Sequence, residues 1–214
     1  VIYTRKTDVF VPLHKRAEIA NKNNADLFIS IHCNAAQGTG VFGTETFVMG
    51  LHKNADNLNV AKRENDVILK EDNYNQHYDG FDPNSPASSI IFQMYQNAYL
   101  SQSIAFATYI QEEFSKLERK NRGVKQAGFL VLYKTYMPSV LIESGFLTNL
   151  NEEKLLNSSS GQALIAGGIF EAFKKFKKSL DKNSSNEKIT NRETEIKKEP
   201  IVDSNKKVKT IENN

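Results

Sequence analysis

Short strand-like segments alternate with amphipathic helical segments in residues 1–180 of this chain, and this alternation restricts the fold most strongly. The strand-like segments are 26–31, 44–49, 128–133 and 139–143. The last two are apolar on both faces, which is typical of strands in a covered sheet. The alternation predicts the α/β class, in the form of a layered domain.

Three segments have the periodic apolar spacing of amphipathic helices, at residues 12–24, 101–117 and 161–178. Pro12 suits the first turn of a helix, because the N–H that proline lacks has no helical partner there. Ser101 is a candidate N-cap, because its hydroxyl can accept a hydrogen bond from a free amide of the first turn. Each segment has an apolar stripe on one face, so each is expected to pack on the sheet.

Two regions depart from the alternation. Residues 51–97 form an insertion far longer than usual connections, which favours a lid, a binding loop or a disordered segment. Within this insertion, the pattern at 57–71 favours a helix and 78–88 has the composition of turns. Residues 181–214 contain no aromatic side chain and few apolar ones, so we predict a disordered linker or tail there.

Composition argues against several kinds of partner. A net charge of +3 on 214 residues does not indicate nucleic-acid binding, and no apolar run approaches the roughly 20 residues of a membrane helix. The single cysteine excludes an internal disulfide. No signal peptide is visible, and the opening VIYTR has the composition of a strand end, so we expect part of the domain to precede Val1.

Two apolar strands each end in an ionisable residue. His32 follows the segment LFISI directly, and Glu143 closes SVLIE before a Ser-Gly turn. Ligands bind at the carboxyl ends of strands in open α/β sheets, so parallel neighbouring strands would bring both side chains to one edge. Burial would raise the pKa of Glu143 toward that of a general acid or base. From the residues alone, His32 is a metal ligand, a general base or a locally hydrogen-bonded histidine, and Glu143 is a catalytic, ion-paired or helix-capping carboxylate.

The cysteine and the other histidines are weaker candidates. Adjacent strand residues point to opposite faces, so Cys33 is not expected to pair with His32 as nucleophile and base. We predict that Cys33 is a small buried thiol. His14, His52 and His77 lack metal-ligand spacing to His32, so we expect them at the surface.

Four stretches of the chain carry a family resemblance, in the order TRKTDVFVPLHKRAEIANKNNADLFISIHCNA, GTETFV, RGVKQAGFLVL and MPSVLIESGFLTN. They resemble the zinc-dependent N-acetylmuramoyl-L-alanine amidases of the amidase-3 type. These enzymes hydrolyse the amide between the lactyl group of N-acetylmuramic acid and the L-alanine of the peptidoglycan stem peptide. The resemblance implies a mixed, mostly parallel sheet flanked by helices on both faces, with residues 1–180 as the catalytic domain.

The resemblance also implies roles for single residues. His32, in the motif S-I-H-x-N-A, matches a zinc ligand, and Glu143, in E-x-G-F-L-x-N, matches the glutamate that deprotonates the attacking water and protonates the leaving amine. Asn34 and Arg122 are candidate substrate-binding residues, with a solvated charge at a turn as the alternative for Arg122. The family's other two zinc ligands, a His and a Glu, lie upstream of the matched segment. We therefore expect two ligands before Val1, and expect the given chain alone to bind zinc poorly and to be inactive.

The insertion at 51–97 resembles the helical insert of cell-separation amidases, which covers the active site until an activator displaces it. In some of these enzymes a glutamate of the insert reaches the zinc. Glu64, in AKRENDV, is the first candidate for that role and Glu71 the second, with a solvated helix face as the alternative.

The resemblance implies peptidoglycan and an activator protein as partners, and the periplasm or cell envelope as location. The implied function is peptidoglycan amide hydrolysis in cell-wall remodelling or daughter-cell separation. The alternative is a degenerate amidase that binds muropeptides without cutting them.

Overall fold

The computed structural model describes residues 1–51, 55–82 and 98–196. Its backbone divides into two compact units, Val1–Phe176 and Lys177–Asn214. The first unit contains the sheet and every residue of the candidate site. In the second unit the described backbone is helical, within the segment that the sequence predicts to be a linker or tail. The rest of that segment lies outside the described residues, so the linker and the domain boundary at residue 180 stay predictions.

The described helices are α1 (Leu13–Lys22), α2 (Ala55–Asn65), α3 (Tyr74–His77), α4 (Leu100–Lys116), α5 (Leu130–Tyr133), α6 (Leu150–Asn157) and α7 (Ser159–Ile196). A 3-10 helix, Asp66–Lys70, continues α2. The strands are β1 (Phe28–Asn34), β2 (Thr44–Met49), β3 (Asn121–Ala127) and β4 (Ser139–Phe146). None of these helices combines the length and the apolar character that a membrane crossing requires.

The strands form one mixed sheet in the order β1-β4-β2-β3. β1 is parallel to β4 and β2 is parallel to β3, whereas β2 and β4 are antiparallel. Most of the pairings are therefore parallel, which confirms the predicted mixed, mostly parallel sheet. β1, β2 and β4 lie where strands are predicted, and β1 and β4 continue past the predicted ends.

Side chains alternate between two covered faces of the sheet. Phe47 and Leu141 belong to an apolar cluster that also includes Leu13 of α1, Ala61 of α2 and Leu130 of α5. The residues between them along each strand point to the opposite face. There α4 packs against β2, β3 and β4. Helices thus cover both faces of the sheet, which confirms that part of the prediction.

The prediction of a buried strand at 128–133 is wrong. Leu130–Tyr133 forms the short helix α5, and the strand in this part of the chain is β3, which precedes it. All the side chains of α5 are buried, and a short run that is apolar on every side fits a buried helical turn as well as a strand. β3 is mostly polar because it is an edge strand with partly exposed side chains, so it lacks the apolar signal of the inner strands.

Two predicted helix starts are shifted. α4 begins at Leu100, so Ser101 lies inside the first turn, and the N-cap position is Tyr99, which makes no side-chain cap. Pro12 occupies the N-cap position of α1 rather than its first turn, and it also provides no side-chain cap. The free amides at the start of α1 therefore need acceptors from elsewhere in the chain.

Candidate active site

His32 and Glu143 lie side by side on neighbouring strands. β1 and β4 are parallel, and His32 is paired with Glu143 in their register. On the other side of β4, Glu45 of β2 is also paired with Glu143. Side chains of paired residues point to the same face of a sheet, so one row carries an imidazole and two carboxylates. The predicted convergence of two strands is confirmed, although both strands continue beyond these residues.

The Glu143 side chain is completely buried. Its exposed fraction is 0%, and neither carboxylate oxygen has a hydrogen-bond partner among the described residues. Burial, with smaller contributions from the carboxylates of Glu64 and Glu45, raises the pKa of Glu143 to about 8. A buried charge without a partner is costly, so this carboxyl group requires a proton or a cation beside it.

Both ring nitrogens of His32 lie within hydrogen-bonding distance of another side chain. Nε2 lies 2.9 Å from Ser30 Oγ, and Nδ1 lies 3.0 Å from Glu64 Oε2. Ser30 is two residues earlier on the same strand, so it lies on the same face and its hydroxyl fixes the orientation of the ring. The Nδ1 side of His32 is therefore the one turned toward Glu64.

His32, Glu64 and Glu143 together form a group that can hold a metal ion. One ligand atom from each lies within 4.8 Å of the others. Imidazole nitrogens and carboxylate oxygens are ligands that zinc takes in proteins. The partnerless oxygens of Glu143 leave a place for positive charge, so this set of donors fits a divalent cation.

Helix α2 of the insertion contacts the end of β1. Beside Glu64 it contributes Arg63, whose guanidinium donates to Asn34 Oδ1 at 2.7 Å and to the Ala35 carbonyl at 2.9 Å. Burial alone would raise the pKa of Glu64, but the hydrogen bond and charge of His32 and the nearby Arg63 lower it. Glu64 therefore carries its negative charge at this position.

The two candidate substrate-binding residues meet at Glu45. Asn34 is 1% exposed and donates from Nδ2 to Glu45 Oε1 at 2.8 Å. Glu45 Oε2 accepts from Arg122 Nε at 3.1 Å and from Lys125 Nζ at 2.5 Å. Arg122 is therefore an ion-paired residue of β3 and not a solvated charge at a turn.

Glu71, the second candidate for reaching the metal, lies at the start of α1. It is 6% exposed and accepts from Leu13 N at 2.7 Å and from Tyr78 Oη at 2.7 Å. Its other contact is His14 Nδ1 at 3.0 Å, and the His14 amide donates to Tyr78 Oη at 2.9 Å. Glu71 and Tyr78, both from the insertion, thus supply the acceptors that α1 lacks at its N-terminus.

The predictions for the cysteine and for the other histidines need correction. Cys33 is exposed, because β1 is an edge strand, so the predicted buried thiol is wrong. His14 and His77 are partly buried and stack with ring centroids 3.9 Å apart, so they are not the free surface histidines that we expected. His52 lies outside the described residues.

Ser30, Glu45 and Arg63 contact the candidate site but are not predicted as site residues from the sequence. The period of two along a strand would have put Ser30 on the face of His32. Glu45 interrupts the strand TETFVM with a charge, and a charge on an inner strand requires partners. Nothing in the sequence identifies Arg63 as a site residue except its position next to Glu64.

An imidazole and a buried carboxylate that lie side by side can hold a metal ion and transfer a proton. The family is shown by the sequence, because residues 1–175 match N-acetylmuramoyl-L-alanine amidase (Amidase_3). The chain belongs to this amidase family, as the resemblance implied.

Individual relatives agree with this assignment. N-acetylmuramoyl-L-alanine amidase AmiA of Escherichia coli K12 is 30% identical over 174 residues, which cover 78% of this chain and 57% of AmiA. N-acetylmuramoyl-L-alanine amidase AmiC of Neisseria meningitidis serogroup B is 34% identical over 180 residues, which cover 82% of this chain and 42% of AmiC. The solved structure of the CwlD amidase from Clostridioides difficile, in complex with the GerS lipoprotein, matches with a TM-score of 0.57 at 25% identity, over 83% of this chain and 75% of CwlD. The chain spans about half the length of the curated relatives it matches.

Proposed function

We propose that this protein hydrolyses the amide bond between N-acetylmuramic acid and L-alanine in peptidoglycan. In this proposal His32 binds zinc and Glu143 is the general base. The observation that carries the proposal is the pairing of His32 with a buried carboxylate that has no other described partner. The names of AmiA and AmiC support the choice of bond. A module that only binds muropeptides has no need for such a carboxylate, so the pairing does not favour that alternative.

The residues present fit a zinc ion. His32 would supply a ligand through the nitrogen that faces Glu64, and Glu64 would supply a carboxylate oxygen while the insertion stays in place. When bound, zinc acts as a Lewis acid that polarises the scissile carbonyl and lowers the pKa of an attacking water.

Glu143 would move the proton. Its buried surroundings raise its pKa, and a cation bound beside it would favour the ionised form, which can take a proton from the attacking water. The same carboxyl group would then deliver that proton to the leaving amine of L-alanine. Glu45 does not compete for this role, because Asn34 and two cations of β3 already occupy its oxygens.

The insertion would inhibit the site until it is displaced. Glu64 lies against His32 Nδ1 and Arg63 bonds Asn34, so both cover groups that a substrate would approach. An activator protein is the partner that would remove them, and the complex of CwlD with GerS supports such assembly in a relative. Deletion of residues 56–92 from the protein at its native length is expected to raise the rate of sacculus digestion. A folded deletion variant without any increase would argue against inhibition.

The proposed substrate determines the proposed location. Peptidoglycan lies outside the cytoplasmic membrane, so the protein would act in the periplasm or cell envelope, in cell-wall remodelling or daughter-cell separation. Fractionation of producing cells tests this, and recovery in the cytoplasm alone would contradict it.

Digestion of purified sacculi tests the reaction. The protein at its native length, supplied with zinc, should release peptides that begin with L-alanine, which mass spectrometry detects. Glu143→Gln should lower the rate by about 100-fold or more, because general acid–base catalysis contributes that much. Glu112→Gln, which removes an exposed carboxylate of α4, should leave the rate unchanged. The proposal fails if no such peptides appear, or if the two variants lose activity equally.

A further inference from the structure

The Glu45 carboxylate is paired with two positively charged side chains, although one would be enough to neutralise it. It is 2% exposed, and its Oε2 accepts from both Arg122 Nε and Lys125 Nζ. One negative charge therefore faces two positive charges, and the group of three keeps a net charge of +1. Since Lys125 alone would neutralise the carboxylate, Arg122 is not required for charge balance at Glu45.

The contacts of Arg122 fix the orientation of its guanidinium group. Only Nε bonds Glu45, and the guanidinium carbon lies 5.1 Å from the ring centroid of Phe146. No hydrogen bond joins either Nη atom of Arg122 to any residue that the structure describes. The side chain is 28% exposed, so part of it can be reached from solvent, and the edge that carries the two Nη atoms has no described hydrogen-bond partner. This edge matches the two oxygens of a carboxylate.

The distance from the candidate active site suits a peptide substrate. Arg122 belongs to β3, which is separated from β4 and Glu143 by β2 alone. Two strand spacings correspond to about 10 Å. An extended peptide advances about 3.3 Å per residue, so this distance spans about three residues. A peptide whose first amide lies at His32 and Glu143 would bring its second or third residue to Arg122.

We propose that Arg122, oriented by Glu45, binds a carboxylate on the second or third residue of the stem peptide. The proposal rests on the proposed function for the identity of the peptide. In it Arg122 is a substrate-binding residue, and Glu45 is a positioning residue that acts through Arg122. The substrate carboxylate accepts hydrogen bonds from the Nη atoms of Arg122 and neutralises the remaining positive charge beside Glu45.

Binding measurements with matched ligands test the proposal. The probes are N-acetylmuramoyl peptides that differ only in whether the carboxylate of the second residue, or of the third, is free or a primary amide. Affinities are measured by calorimetry in the Glu143→Gln background, with and without Glu64→Gln, which removes the ion pair between α2 and His32. We expect the free carboxylate at one of these positions to bind about 10-fold more tightly than its amide, as for a charge-assisted pair that is partly exposed.

Variants assign this preference to single residues. Arg122→Gln should abolish it, and Arg122→Lys should keep only part of it, because lysine retains the charge but not the two-atom edge. Glu45→Gln should weaken it although Arg122 is still present. Lys120→Gln is the matched control, because Lys120 is an exposed cation directly before β3 that contacts Phe42 and not Glu45.

The outcomes separate this inference from the proposed function. Equal binding of acid and amide at both positions, absence of binding in both backgrounds, or a preference that survives Arg122→Gln would overturn the inference. Hydrolysis is measured separately with Glu143 intact. Hydrolysis without a preference for the free carboxylate leaves the proposed function standing, and a preference without hydrolysis leaves only the subsite standing.

Discussion

The insertion contains two glutamates that contact the rest of the domain in different ways. Glu64 and Glu71 each have a carboxylate oxygen 3.0 Å from the Nδ1 atom of a histidine, His32 for the first and His14 for the second. The Glu64 side chain is 23% exposed, whereas the Glu71 side chain is 1% exposed. Glu71 also accepts hydrogen bonds from a backbone amide and from a tyrosine hydroxyl.

The difference indicates that the contact of Glu71 with α1 is fixed, whereas the contact of Glu64 with His32 is removable. Partly exposed ion pairs contribute little to stability, because water replaces the partner when they separate. A buried carboxylate whose partners also depend on it is costly to remove, because each partner would lose its acceptor. The insertion is thus attached to α1 through Glu71, whereas the ion pair between Glu64 and His32 itself costs little to break.

The largest effect is expected from loss of the fixed contact. Glu71→Ala should lower the free energy of unfolding by about 3 kcal/mol, because two buried donors, Leu13 N and Tyr78 Oη, lose their acceptor and the partly buried His14 ring loses its partner. Chemical denaturation measures this, with Asp72→Ala as the control, since Asp72 is the exposed neighbouring residue. A loss below about 1 kcal/mol would mean that Glu71 is not an anchor.

Glu143, a buried carboxylate without described hydrogen-bond partners, should differ from Glu71: its replacement should affect activity and not stability. Glu143→Gln should lower the hydrolysis rate by about 100-fold or more while leaving the free energy of unfolding unchanged or higher, since a neutral amide avoids the cost of protonating or desolvating a carboxyl group that lacks described partners. Denaturation in the presence of a chelator measures the stability. A loss like that of Glu71→Ala would show that Glu143 has a structural role.

The removable contact should matter for activity and little for stability. Glu64→Gln should change the free energy of unfolding by no more than about 0.5 kcal/mol, because both side chains of the pair are partly exposed and water can replace the partner. It should raise the rate of sacculus digestion several-fold, because the variant loses the ion pair between α2 and His32 and leaves the histidine more accessible. Asp66→Asn, which removes an exposed charge next to α2, is the control and should not change the rate.

The smallest expected effect is a local change in hydrogen exchange. In Glu64→Gln, the amides of α2 should exchange faster, while those of Leu13 and His14 should stay protected by Glu71 and Tyr78. Mass spectrometry of deuterated peptides distinguishes the two regions. Faster exchange in both regions would mean that the insertion moves as one body.

Much of the fold is predictable from the sequence because the inner strands are strongly apolar and their helices are periodic. β1, β2 and β4 follow from that pattern, whereas the edge strand β3 is polar and α5 is apolar on all sides, so neither carries a distinguishing period. His32 and Glu143 are predictable because each lies near the end of an apolar strand. The partners of Glu45 are not predictable in this way, because they come from strands whose adjacency depends on the tertiary fold. Arg63 is likewise identified only by contact across the insertion.

The exposed Cys33 has a practical consequence. It is the only cysteine in the sequence, and it neighbours His32 on the strand while its side chain points to the other face. A thiol-reactive fluorophore would therefore attach at one defined position, close to the site but outside it. A second dye, attached on α2 by a chemistry that does not react with thiols, would then report by energy transfer whether the insertion is closed or displaced in a single molecule.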